Sequence, residues 1–156
     1  MEMKPIGIIR SPFTRSEGAP IQPSAAHGAR GSVEVYEEYC EGLLDIEGFD
    51  RIWLVYWFDR AKPYSLHVTP YLDTRPHGVF ATRAPSRPNP IGISSVRLIG
   101  VEGRVLTVED FDILDSTPLL DIKPYVGRFD VYNAPRSGWL DTVPGWNGRA
   151  DGRFER

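Results

Sequence analysis

Residues 93–109 read ISSVRLIGVEGRVLTVE, two short runs rich in Val, Ile and Thr joined through a Glu-Gly-Arg link. Branched side chains pack well on a pleated, half-buried surface, so each run reads as a strand. The link VEGRV, residues 101–105, is short enough only for a tight hairpin, which makes strands 93–100 and 104–109 antiparallel. Working outward, RIWLVYWF at 51–58 is apolar on both sides of the pleat and is expected at the sheet centre, covered on both faces. Further strand-like runs are PIGIIR (5–10), SVEVY (32–36), GVFATR (78–83) and FDVY (129–132). Only EEYCEGLLDI, 37–46, could make a helical turn or two, and Gly42 interrupts it. Fourteen prolines and fifteen glycines leave no room for long helices. Many short strands separated by turn signals imply a barrel or a sandwich, and we expect an all-β fold: a closed, mainly antiparallel β-barrel with irregular loops and little helix.

A chain of 156 residues suits one well-buried domain. We expect a barrel domain over residues 1–132 and an irregular tail over 133–156 that packs on the barrel or on a partner subunit, with Trp139 and Trp146 as its apolar contacts. Residues 11–31 lack periodicity and form a long connection of the kind that is functional or mobile. No run approaches the roughly 18 to 20 apolar residues of a spanning helix, and MEMKPIGIIRSP lacks the apolar core of a signal peptide, so a cytoplasmic protein without membrane contact is expected. Cys40 is the single cysteine, which excludes an internal disulfide and a cysteine-rich zinc cluster. His27, His67 and His77 lack ligand spacing, so no metal site is expected. Neither a G-x-G-x-x-G turn nor a phosphate-binding P-loop is present, and the nucleophile-elbow and H-E-x-x-H patterns are missing too.

The net charge is −3, but its distribution is uneven. Between Thr74 and Val101 there is no Asp or Glu, while Arg75, Arg83, Arg87 and Arg97 all fall there; from Glu102 to Asp121 six carboxylates face a single Arg104. The two blocks are either two walls of one cleft or two unrelated solvated faces. In GVFATRAPSRPNPIGISSV, 78–96, three prolines at Pro85, Pro88 and Pro90 fix φ and restrict their predecessors, so a loop bearing Arg83 and Arg87 is stiff enough to hold a ligand in one pose. In DILDSTPLLDIKPY, 112–125, carboxylates stand at Asp115 and Asp121 beside the hydroxyls of Ser116 and Thr117. Such a set suits an ammonium and a ribose, because both offer donors that carboxylates accept strongly. Read blandly, the same string is a turn with surface charges.

These two strings, together with PIGIIRSPF at the start, PIQP at Pro20–Pro23 and FDRIWLVYWF from Phe49, resemble the TrmO/TsaA-like family in order and spacing over roughly Pro5 to Tyr125. The resemblance implies a TsaA-like closed barrel that dimerises, binds S-adenosylmethionine and methylates N6 of threonylcarbamoyl-adenosine beside the anticodon of a threonine tRNA. Carried over motif by motif, it implies cofactor contacts from Pro20, Ile21, Gln22, Asp59, Arg60, Arg83, Ile93 and the turn Leu114, Asp115, Ser116 and Thr117. Two positions depart from the family pattern, since relatives often carry His at Asp59 and usually Gly at Ser116. The long C-terminal extension of many bacterial relatives has no counterpart.

Methyl transfer to an amide-like nitrogen needs alignment, exclusion of water and a modest base. Asp121 or Asp115 is the candidate base, each with the competing reading of holding the donor or capping a turn. Arg83 is expected at the methionine carboxylate, and Arg75, Arg87 and Asn89 at RNA. Two alternatives stay open: the same fold acting on another acceptor, and a non-catalytic S-adenosylmethionine-binding protein.

Overall fold

The alternating runs become strands whose every second side chain is buried. Ile9 is buried on β1 (Gly7–Arg10), Val33 and Val35 on β2 (Arg30–Val35), and Ile52, Leu54 and Tyr56 on β3 (Arg51–Trp57). Two short strands, β4 (His67–Val68) and β5 (His77–Gly78), pair only with each other. Then come β6 (Ile91–Glu102), β7 (Val105–Glu109) and β8 (Thr117–Pro124). In this computed structural model, which describes residues 2–145 and 148–155, six strands close into an antiparallel barrel in the order β1-β2-β7-β6-β3-β8. The expected closed barrel is therefore the fold. Its interior is filled by the inward side chains together with Phe111 and Ile113, so it is a packed core and not a channel.

The β6–β7 hairpin turns where expected, with Gly103 at φ +59° as the first of the two turn residues. Three expectations need correction. GVFATR is not a strand: after the short β5 the backbone makes a 3₁₀ turn over Val79–Ala81 and enters the proline loop. FDVY is not a strand either, because Gly127–Asp130 is a single helical turn, α1, whose Asp130 carboxylate accepts from the Val126 N–H at 2.7 Å. Conversely, TPLLDIKP is not a surface turn but β8, which bonds to β1 on one side and β3 on the other. The β3 ladder ends at Tyr56↔Leu119, so Pro118 lies just past its last partner and its missing N–H costs that ladder nothing. A fourth difference concerns β3. Its inner face is sealed, but its outer face is open: Trp53 and Val55 are half-buried and Trp57 is 46% exposed.

The C-terminal segment runs back over the barrel end where β3 finishes and β6 begins. Trp139 Nε1 donates to the Ala81 carbonyl at 2.8 Å, and its ring stacks on His77 at 4.6 Å. Trp146 lies outside the described residues. Further on, Arg149 bridges to Pro20 and Glu155 to Ala61. Phe154 is buried with Val68, Val79 and Ala84 in a small satellite core and meets Tyr71 edge-on at 5.2 Å.

Gly31 on β2 shows how tightly the barrel is packed. A Cβ there would stand 2.8 Å from both the Arg10 carbonyl oxygen and the Phe111 ring. The carbonyl belongs to backbone and the ring is fully buried, so neither yields without disturbing the β1–β2 pair. Gly31→Ala should cost about 1–3 kcal/mol. In urea titration the midpoint should fall with the slope unchanged; an unaltered midpoint would show that the pair relaxes freely.

Candidate active site

Strands β1, β3 and β8 meet the ends of β2 and β6 at one rim of the barrel, and the loops leaving that rim enclose a cavity of about 310 Å3. Four segments build it. The 11–29 connection supplies Ala19, Pro20, Ile21 and Gln22, and the exit of β3 supplies Tyr56, Phe58, Asp59 and Arg60. The proline loop and the start of β6 give Thr82, Arg83, Pro85, Arg87, Ile91, Gly92 and Ile93, and the approach to β8 gives Asp112, Ile113, Leu114 and Thr117. The C-terminal segment completes the wall with Ala150, Phe154 and Glu155. Gly92 has to be glycine, because a Cβ there would run into the Tyr56 and Phe58 rings.

Several of the residues singled out from the sequence come together here: Pro20, Ile21, Gln22, Asp59, Arg60, Arg83, Ile93, Leu114 and Thr117 all line the cavity. Arg83 Nη1 donates to the side-chain amide oxygen Oε1 of Gln22, which ties the long connection to the proline loop. Arg60 reaches the carbonyls of Thr14 and Asp115, linking the β3 exit to the turn before β8. Asp115 and Ser116 stand behind this wall, in a shallow depression with Thr14, Asp59 and Arg60. Ser116 adopts φ +63°, a left-handed conformation that explains why glycine is the usual residue of the resembled family at that position. Its hydroxyl donates to Asp115 at 2.9 Å and accepts from Arg10 at 3.1 Å.

The two carboxylates proposed as bases are not placed for that work. Asp115 accepts from the Ser11 backbone N–H at 3.0 Å, and this bond with the Ser116 hydroxyl holds its pKa below the ordinary range. Asp121 lies on β8 opposite Val55, outside the cavity lining, and is paired to Lys123 at 2.8 Å. Of the residues expected at RNA, Arg75 and Asn89 are exposed. Arg87 is not free for that role, because its Nη1 donates to the Thr82 and Ala84 carbonyls at 3.1 Å each and so braces the proline loop from the cavity side. The basic and acidic blocks touch at Arg97 and Glu109, 3.0 Å apart on the β6–β7 pair.

A residue not selected from the sequence occupies the floor instead. Asp112 Oδ1 accepts from the Ser94 hydroxyl at 2.7 Å, and Ser94 Oγ lies 3.0 Å from the Tyr56 hydroxyl. Ser94 is 1% and Tyr56 4% exposed, so the chain of hydroxyls is sealed inside the barrel mouth. Loss of hydration pushes the Asp112 carboxyl up to about 7, against the smaller opposing pulls of the Ser94 bond and the Arg83 charge. Burial, and next the Asp112 charge, hold the Tyr56 phenol well above its ordinary value. The sequence signal for Asp112 is modest: one carboxylate inside the apolar run FDIL.

Residues 8–131 match the model of the tRNA-methyltransferase O N-terminal domain. A Pyrococcus abyssi protein described as a probable S-adenosyl-L-methionine-binding protein is 56% identical over 153 residues, spanning 97% of this chain and 83% of the relative. The human tRNA (adenine(37)-N6)-methyltransferase is 32% identical over 134 residues, covering 81% of this chain but 30% of the human protein. Among solved structures, TrmO from Pseudomonas aeruginosa superposes with a TM-score of 0.76 at 42% identity, over 92% of this chain and 63% of that one. This chain thus spans less than two thirds of that solved relative.

The Asp112 environment has a measurable consequence for folding. A carboxyl whose folded pKa is raised is tolerated best when protonated, so stability falls as pH rises from the unfolded value of about 4 to the folded value of about 7 and is flat above. Asp112→Asn keeps an oxygen for Ser94 without the charge. Its Tm should match the wild type near pH 4, exceed it progressively up to pH 7, and hold an advantage of more than about 3 °C at pH 8. Parallel melting curves at every pH would refute the shift.

Proposed function

The chain belongs to the family of tRNA-methyltransferase O N-terminal domains, and we propose that it is an S-adenosylmethionine-dependent methyltransferase acting on N6 of threonylcarbamoyl-adenosine beside the anticodon of tRNA(Thr), as a cytoplasmic homodimer. The observation that carries this reading is the cavity, because the strings FATR…RPNPIG and D-x-x-D-S-T-P converge on it from separate parts of the barrel. Its volume falls within the range of about 300–1000 Å3 typical of small-molecule sites. Its lining fits the donor's chemistry. The apolar walls of Phe58, Ile113, Leu114 and Phe154 suit a purine, and the Asp59 and Glu155 carboxylates suit a cation. Arg83 suits a carboxylate. No helix among the described residues is long and apolar enough to cross a membrane.

When bound, the donor supplies a methyl group on a positively charged sulfur, ready for in-line displacement. The protein's contribution is orientation and dryness. Pro20, Ile21 and Gln22 on one side and Arg83 on the other hold the donor, with Gln22 and Arg83 already joined so that both walls move as one. Leu114 and Thr117 close the side next to β8, where the Thr117 hydroxyl is fixed by donating to the Leu114 carbonyl at 2.8 Å. Asp115 and Ser116 support that turn from behind. The tRNA reaches the mouth past Arg75 and Asn89.

The dimer reading rests on the open outer face. Trp57 pairs with Ile91 and Val55 with Ile93 across β3 and β6, and Trp57, Ile91 and Ile93 remain 46%, 36% and 54% exposed. Such a stripe is costly to leave in water. Sedimentation should give twice the chain mass, and Trp57→Glu with Ile93→Glu should give a single mass.

Arg83→Ala should abolish donor binding in calorimetry while leaving the melting temperature within about 2 °C, since Arg83 is exposed at the cavity wall. Labelled donor with total tRNA should place label on threonylcarbamoyl-adenosine, and tRNA from cells lacking that modification should take up none. Incorporation into a different nucleoside would move the acceptor; tight donor binding without transfer to any RNA would favour a binding protein.

A further inference from the structure

The cavity floor holds one group that the binding of a donor does not require. Asp112 stands at the end of a hydroxyl chain whose polarity its carboxylate sets: with Asp112 ionised, Ser94 Oγ donates to Asp112 Oδ1 at 2.7 Å, so the Tyr56 hydroxyl, 3.0 Å away, donates to Ser94. The three residues come from β6, from β3 and from the segment before β8, and the barrel alone brings them together. A structural role would be satisfied by Asn or Thr without placing an ionisable group there. We propose that Asp112 is the general base of the reaction, taking the proton from the acceptor nitrogen, with Ser94 and Tyr56 as its positioning residues. This rests on the methyltransferase reading above.

As the acceptor nitrogen forms its bond to carbon, the carbon–sulfur bond breaks and its electron pair stays on sulfur, which becomes neutral. The N–H proton passes to an Asp112 oxygen, and its electron pair remains on nitrogen. Asp112 thereby goes from carboxylate to neutral acid inside the cavity, and Ser94, donating throughout, keeps Oδ1 oriented. Burial favours that direction, since it is the charged form that the cavity penalises. A base with a pKa near 7 is matched to neutral solution, whereas Asp115, held low by Ser11, is too weak. The other ionisable groups on the wall are Arg83, Arg87, Asp59, Arg60, Tyr71 and Glu155. Of these Arg83 acts on Asp112, and in the direction that keeps it ionised. Glu155 is engaged by Ser16 at 2.6 Å, and Arg60 by the Thr14 and Asp115 carbonyls.

Three measurements on the full chain test the assignment. Carbon-13 NMR of carboxyl-labelled aspartates in the ligand-free protein should show one group titrating near pH 7 that disappears in Asp112→Asn. Single-turnover methyl transfer to total tRNA should rise with pH through that range and level off. Asp112→Asn should lose roughly 100-fold or more in rate and lose the pH limb, with Asp112→Glu recovering part of both. Calorimetry should leave the donor Kd of Asp112→Asn within about 3-fold of wild type, a margin well under 1 kcal/mol. Ser94→Ala should shift the limb without removing it. No near-neutral carboxyl, an unchanged rate in Asp112→Asn, or donor affinity lost in step with rate would each overturn the assignment. Wild-type protein that binds donor yet methylates no RNA would instead take down the functional reading, and that result is recognisable because the carboxyl titration needs neither donor nor acceptor.

Discussion

Strand β8 has to satisfy two neighbours at once. It bonds β1 through Gly7↔Leu119 and Ile9↔Thr117, and β3 from Tyr56↔Leu119 to Ile52↔Pro124. Without it, β1 and β3 would be unpaired edges, exposing rows of backbone groups and the interior apolar faces. With it, the register is pinned, and the residues just before β8 are delivered to the rim beside the exit of β3 and the entry of β6. Asp112, Ser94 and Tyr56 meet for that reason and no other. The cavity is therefore a product of closure, and its geometry has the rigidity of the barrel even though most of its lining lies on loops.

Closure also explains why two carboxylates three positions apart behave in opposite ways. Asp115 sits at the surface side of the turn, where Ser11 N–H and the Ser116 hydroxyl stabilise its charge. Asp112 faces the cavity floor, half-buried, where a single Ser94 bond does not replace the hydration it loses. Environment separates their protonation states and with them their uses: one fixes a turn, the other is able to exchange a proton near neutrality. A fold optimised for stability alone would not keep an ionisable group where its charged form is penalised. Its presence in the cavity lining, bonded to the buried Ser94, is the mark of a working site.

Much of the architecture was readable from residue patterns, and the misreadings have specific causes. Strands β1, β2, β6 and β7 announced themselves by short runs of strand-forming residues, β3 by a continuous apolar run, and the β6–β7 turn by its glycine. β8 did not, since Pro118 and Pro124 punctuate it; Pro118 is harmless there because it lies past the last β3 partner. GVFATR has strand composition, but its role is to leave the sheet and enter a loop whose conformation is fixed by prolines and by Arg87 bonding to the Thr82 and Ala84 carbonyls. Arg87 looked like an RNA contact because its charge was visible and its partners, being backbone, were not. The contribution of Phe154 and Glu155 to the cavity had no local signal at all, because it depends on the tail crossing back to Ala61 and Ser16.

The net charge of −3 bears on the proposed tRNA substrate, because the charges are unevenly placed on the barrel. At the rim opposite the cavity, the segment after β2 and the β6–β7 turn carry Glu37, Glu38, Glu41 and Glu102, with Arg104 and Lys123 nearby. The cavity lining carries Arg60, Arg83 and Arg87 against Asp59, Asp112 and Glu155, so it is balanced rather than acidic. A seven-residue strand such as β3 spans about 23 Å, against a screening length of about 8 Å in physiological salt. The acidic rim is thus electrostatically invisible to a polyanion at the other end. Under the proposed function, a polyanion approaching the cavity meets a rim that is not net acidic, and the distant carboxylates disfavour approach from the other side.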